Sequence, residues 1–136
     1  MVRDHAVIPP PLYLRLPAEP ITITELRHAA GEYAANVGAD RERIETFVSE
    51  AVDNAVRHAF RDRSRGEVVL RMQSTFEDEL FVAVVDRGVG IRPNPDSRGL
   101  GFGLSVMAAL ARSLTIEHPP KGGTQVEGRF PLAPPG

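Results

Sequence analysis

Within the stretch SEAVDNAVRHAF, Ser49 to Phe60, the residues Glu50, Asn54 and His58 recur every four positions in an otherwise mostly apolar run. Residues four apart on a helix stack one turn above another, so these groups form a single line along one face. A carboxylate and an amide on such a line can cooperate. A helix flank whose polar residues merely face water would produce the same line, and the motif alone does not separate the two readings. His58 is assigned to the packed boundary of the helix.

Further along, VVDRGVGI closes an apolar run with Asp86 and follows it with Gly88 and Gly90. Glycine there lets backbone pass close to a ligand. A carboxylate at the end of a buried strand can accept hydrogen bonds from an amine in an apolar cleft, although a plain turn built on Asp and Gly reads equally well. Pro93 and Pro95 exclude a Rossmann phosphate turn, which needs a helix at that point. In RGLGFGLSVM, Gly99, Gly101 and Gly103 lead into a helix, offering free N–H donors and the positive dipole end to a phosphate. Flexible punctuation is the other reading. GGT, Gly122 to Thr124, enters the last strand and by itself is a turn.

These groups need elements to hold them. LYLRL alternates as a short strand ending at Pro17, and Thr22 with Glu25 has the spacing of a capping box for a first helix. Leu26, Ala29, Ala30, Tyr33, Ala34 and Val37 carry that helix to a stop at Gly38. Asp40 caps a second helix, whose apolar stripe of Ile44, Phe47, Val48, Ala51, Val52, Ala55, Val56 and Ala59 faces the core. Strands follow over Glu67 to Ser74 and Leu80 to Asp86, joined through the acidic EDE. After a Gly/Pro-rich loop to Arg98, a helix is expected over Gly101 to Ser113. Strands near Leu114 to Glu117 and Thr124 to Phe130, joined by HPPKGG, complete the chain. The class is α+β, with helices on one face of a mixed, mostly antiparallel sheet.

Composition limits what such a layer can do. The 136 residues, 42% hydrophobic, are read as one domain over 1–136, with 1–11 as a flexible tail. With 16 basic and 18 acidic residues and a net charge of −2, nothing draws the whole chain to nucleic acid or anionic lipid. Cysteine is absent, and the longest strongly apolar run, Leu80 to Val85, is too short to span a bilayer. The expected location is the cytoplasm.

In order and context, the four motifs resemble those of the GHKL or Bergerat-fold ATPases, the superfamily of gyrase, histidine kinases and anti-sigma factor serine kinases. SEAVDNAVRHAF is similar to the N box, DRGVG and RGLGFGL to the two glycine boxes, and GGT to the closing Gly-Thr element. The likeness runs from about Leu12 to Leu132. It implies a Bergerat-type two-layer sandwich, with about three helices on the sheet, that binds ATP and Mg²⁺. Asn54 would then coordinate the metal and Glu50 would act as general base. Asp86 would bind the adenine amine, Gly88, Gly90, Gly99, Gly101 and Gly103 would line the nucleotide, and Thr124 would support the adenine end. The layout looks most like the bacterial anti-sigma factor serine/threonine kinases. That likeness implies a sigma factor and an anti-anti-sigma (STAS-type) protein as partners, and a homodimer.

One departure keeps a second class in play. Eight residues, IRPNPDSR, separate Gly90 from Gly99, fewer than the resembled ATP lids commonly have, and two prolines stiffen them. Arg92 and Arg98 are read either as phosphate contacts or as solvated loop charges. The alternative to a kinase is therefore a nucleotide-gated module that sequesters a sigma factor or another regulator with little chemistry. Ile91 to Arg98, having few apolar side chains to bury, is expected to be the most mobile internal stretch without nucleotide. Hydrogen exchange tests this: protection equal to that of Leu80 to Val85 would show packed structure and no gate.

Overall fold

The computed structural model describes residues 9–61, 66–75, 78–87, 98–120 and 123–132, with 58–61 and 98–102 described by backbone alone. Its elements run in the order β1 (Leu12–Pro17), α1 (Pro20–Val37), α2 (Arg41–Arg61), β2 (Glu67–Ser74), β3 (Glu79–Arg87), α3 (Arg98–Leu110), β4 (Ser113–Glu117) and β5 (Thr124–Pro131). Gly88, Gly90, Gly122, Arg92 and the rest of the lid as far as Ser97 lie outside the described residues, as do the side chains of His58 and Arg98.

Alternation in the strands decides the layers. Val68, Leu70 and Met72 of β2 and Leu80, Val82 and Val84 of β3 all point one way, onto the stripe of α2 formed by Ile44, Phe47, Val48, Ala51, Val52, Ala55 and Val56. Burying such rows stabilises by roughly 25 cal/mol per Å² of apolar surface, and this drives the layering. The strands pair in the order β1-β2-β3-β5-β4, and each of these pairings is antiparallel. This is the expected α+β sandwich, with the antiparallel sense holding throughout the described sheet.

Among the described residues the opposite face of the sheet has no helix over it. Val69 and Ala83 are nevertheless buried there, among longer neighbours such as Arg15, Arg71 and Phe81. Arg15 donates two hydrogen bonds of 2.7 Å to the Glu67 carboxylate, tying edge strand β1 to β2 and holding that carboxyl below its usual range. Arg129 sets its guanidinium 5.5 Å from the centre of the Phe81 ring.

Two helix starts differ from the expected ones. The first helix begins at Pro20, a turn earlier than the Thr22 and Glu25 capping box suggested, and its N-cap Glu19 makes no side-chain cap. Proline at the first helical position has its φ already set for helix, so it nucleates the turn. The Thr22 hydroxyl instead donates to the Pro17 carbonyl at 2.6 Å, fastening the helix to the end of β1. The third helix begins at Arg98, not Gly101, and Ser113 belongs to β4. Glycine is a poor helix former, and packing of α3 against α2 overrides that preference. The other boundaries fall as expected. Gly38 closes α1 at φ 87°, and Asp40 caps α2 by accepting the Arg43 N–H at 3.1 Å.

Close packing under α2 depends on Gly128 in β5. Phe47 and Phe130 meet edge to face, with ring centres 5.0 Å apart at 85°. A Cβ on Gly128 would lie 2.7 Å from Phe47 Cζ and 3.0 Å from Phe130 Cε1. Both rings are fully buried and have no room to withdraw. Gly128→Ala should therefore destabilise the fold by about 1–3 kcal/mol, although alanine is normally the better strand residue. Urea unfolding checks it, and a midpoint equal to the parent's would refute the packing argument.

Candidate functional site

Helix α2 supplies Glu50 and Asn54, and α3 closes over them at a glycine. A Cβ on Gly103 would stand 3.3 Å from Glu50 Oε2, 3.2 Å from Asn54 Nδ2 and 3.6 Å from Asn54 Oδ1. Gly103 is thus the point at which the second glycine motif touches the polar line of α2. Arg43 fixes the far end of the same helix pair by donating to the Leu110 carbonyl at 3.0 Å, which satisfies an orphan acceptor at the end of α3.

Asn54 Nδ2 is buried and has no hydrogen-bond partner among the described residues. A buried donor without a partner costs about 1–3 kcal/mol, and none of the described residues offsets that cost at Asn54. A half-turn of the amide puts its oxygen in that position, the form a cation requires.

Asn54 lines a pocket together with Asp86 and Thr124, whose walls include Ala51, Ala55, Val84, Leu104, Met107 and Ile116. The strands explain why polar groups appear there. Leu80, Val82 and Val84 turn into the core, and Asp86 is the next residue in that alternation. Thr124 stands in the same relation to Val126 on β5, and the two face each other across the β3–β5 ladder. Asp86 is 4% exposed and Thr124 9%. The floor of the pocket is therefore apolar, with a carboxylate acceptor and a hydroxyl side by side at one end and the Asn54 amide elsewhere on its wall. The lining, apolar with a carboxylate acceptor, suits an amine-bearing heterocycle in its chemistry, while the space as it stands has room for about one water molecule.

Gly123 brings β5 close enough for this. It has φ 87°, and a Cβ there would fall inside the van der Waals shell of the Asp86 carbonyl oxygen. In the sequence Thr124 stands out as a site residue, and Gly123 only as part of the GGT turn. The signal was the paired glycines before a strand, and its cause, contact with Asp86, is not local. The apolar walls Leu104, Met107 and Ile116 were also missed as site residues, because apolar side chains at helix and strand spacing read as core.

Gly99 and Gly101 lie in the opening turns of α3. Glu50 faces a second space as well, a groove between α1 and α2 shared with Arg27, His28 and Ser49. It thus adjoins both Gly103 and open surface. Among the described residues no group of three or more His, Asp or Glu could hold a metal, so any cation here would rest on few protein oxygens. No helix among them is long and apolar enough to cross a membrane.

Residues 16–129, which carry this helix pair and strand pair, match the histidine kinase-like ATPase domain family. The chain belongs to that family. Within it, relatives include the serine-protein kinase RsbW of Bacillus velezensis, 40% identical over 78 residues covering 55% of this chain and 48% of that one. The anti-sigma F factor of Clostridium novyi is 32% identical over 94 residues, 61% of this chain and 65% of that one. The chain thus spans about half to two thirds of the length of these curated relatives. A crystal structure of the RsbU and RsbW domains of a Mycobacterium tuberculosis protein superposes with a TM-score of 0.71 at 29% identity, covering 93% of this chain and 34% of that one. The histidine kinase domain of a blue-light activated kinase from Erythrobacter litoralis gives 0.57 at 27% identity, over 82% of this chain and 60% of that one.

Two glycines with the same φ of 87° separate backbone strain from crowding, since a Cβ on Gly38 would meet nothing within 4 Å. Gly38→Ala should cost about 1–2 kcal/mol, the penalty of a left-handed alanine. Gly123→Ala should lose about 1–3 kcal/mol more, because β5 must move away from Asp86. Equal losses in chemical denaturation would show that Gly123 serves the turn alone.

Proposed function

We propose that the chain is an ATP-binding serine/threonine protein kinase of the anti-sigma factor type. It would transfer the γ-phosphoryl group of ATP to a Ser or Thr of an anti-anti-sigma (STAS-type) partner and thereby regulate a sigma factor. The observation that carries this reading is the meeting of Glu50 and Asn54 with Gly103 of α3, beside a pocket that Asp86 and Thr124 close. The names of the relatives support the same reading. A homodimer in the cytoplasm is the proposed setting.

Each residue has one task. Asp86 accepts hydrogen bonds from the adenine amine, and Thr124 supports the same end of the base. Gly88, Gly90, Gly99, Gly101 and Gly103 line the nucleotide, the last three near the start of α3, where the helix dipole favours phosphate. The Asn54 amide oxygen would hold Mg²⁺, which takes few protein oxygens and, when bound, neutralises charge on the phosphates. The side chain of Asn54, whose buried Nδ2 has no partner among the described residues, can turn its oxygen to that task.

Glu50, one turn from Asn54, accepts the proton of the attacking hydroxyl at its carboxylate. As that O–H bond breaks, the oxygen bonds to the γ-phosphorus, the bond to the β–γ bridging oxygen breaks, and ADP leaves with the electron pair. The groove between α1 and α2 gives a protein hydroxyl a route to Glu50 from the surface. A second reading, a nucleotide-gated binder with little chemistry, is favoured by the eight-residue spacing between Gly90 and Gly99.

Calorimetry should show Mg²⁺-dependent ATP binding that Asp86→Ala removes. Asn54→Ala should weaken binding and abolish transfer together. Glu50→Gln should keep affinity while transfer to the partner falls by roughly 100- to 10,000-fold, the usual worth of a general base. Labelled ATP with candidate partners measures this. Transfer by Glu50→Gln at the parent's rate would remove Glu50 from the chemistry, and partner capture without any phosphorylated product would establish the binder.

A further inference from the structure

The β4–β5 hairpin places a histidine beside the end of the pocket assigned to the base amine. Its ladder closes at Glu117↔Gln125, and one step further in the same register His118 stands opposite Thr124. Leu114 and Ile116 pack against the core, and His118 is the next residue in that alternation, so its ring leaves the hairpin on the pocket side. His118 Nδ1 lies 3.5 Å from Thr124 Oγ1. The histidine itself is exposed, which puts the contact at the rim.

A threonine hydroxyl has one proton and can meet a base as donor or as acceptor. Purines differ in that demand. Adenine presents an amine donor beside a ring-nitrogen acceptor, whereas hypoxanthine and guanine present a carbonyl acceptor beside a ring N–H. With the adenine amine on the Asp86 carboxylate, the neighbouring ring nitrogen needs a donor, and Thr124 supplies it only while its proton is not engaged elsewhere.

We propose that His118 is a specificity-determining residue that fixes the polarity of Thr124: its Nδ1–H donates to Oγ1, leaving the hydroxyl proton for the base and selecting adenine over 6-oxopurines. The inference rests on the reading of Asp86 and Thr124 as the base-binding pair. His118 acts through Thr124 and is a positioning residue.

The test is the ratio of ATP to inosine triphosphate affinity, measured by calorimetry with Mg²⁺ on the parent chain and on His118→Asn, His118→Ala and His118→Asp. The asparagine amide can donate as Nδ1–H does, alanine frees the hydroxyl, and aspartate accepts only and draws the hydroxyl proton away. The ratio should stay within about twofold of the parent in His118→Asn, fall roughly 3- to 10-fold in His118→Ala, and fall further in His118→Asp. Charge repulsion in the aspartate variant affects both triphosphates alike and cancels in the ratio. A lost side chain with only a packing role would weaken both ligands together. An unchanged or raised ratio in the alanine and aspartate variants overturns the role of His118. Absence of any triphosphate binding by the parent overturns the nucleotide site itself. ATP binding that Asp86→Ala abolishes, with a ratio indifferent to position 118, overturns this inference alone.

Discussion

An α-helix advances about 100° per residue, so α2 cannot choose independently which face it buries and which it offers to the pocket. Once Ile44, Phe47, Val48 and Val52 seat the helix on the sheet, Glu50 and Asn54 are directed to the flank where α3 must lie. The other features answer to that phase. The third helix closes over these polar groups at a residue with no side chain, Gly103, where even a methyl group would be tight. The pocket wall on α2 is made of Ala51 and Ala55, small enough to leave space where a leucine would have filled it. Placing a carboxylate and an amide on one rigid helix keeps the two groups in fixed relation without help from a loop.

The far end of the pocket follows from the two-residue period of strands. Asp86 and Thr124 continue rows that are apolar up to their last residue, so two polar groups arrive at the rim of the core without a buried charge having to cross it. Backbone contact between Gly123 and the Asp86 carbonyl sets how far apart those groups stand. The pocket is thus held by a helix on one side and by a strand pair on the other.

What could be read beforehand was what depends on local period. The polar line on α2, the alternation that ends at Asp86, the Asp40 cap and the Gly38 stop were all visible in neighbouring residues, and so were the layer class and the family. What escaped depends on partners distant in sequence. Thr22 looked like a cap, but Pro20 had already started the helix and the Thr22 hydroxyl went to Pro17. Gly99 looked like a loop before a helix that opens at Gly101, yet it is helical because α3 has α2 to pack on. The need for glycine at 123 and 128 comes from Asp86 and Phe47, which no local window contains.

Both edges of the sheet are short and bounded by proline. Edge strand β1 runs from just after Pro11 to Pro17, and β4 at the other edge ends just before His118, with Pro119 and Pro120 beyond it. Proline has no backbone N–H to donate, so an incoming strand could pair along only a few residues before its ladder failed. A sheet with two open edges would otherwise invite strand-by-strand growth into fibres. Its imino acids restrict that growth at both margins while leaving the inner strands free to be as apolar as the pocket requires.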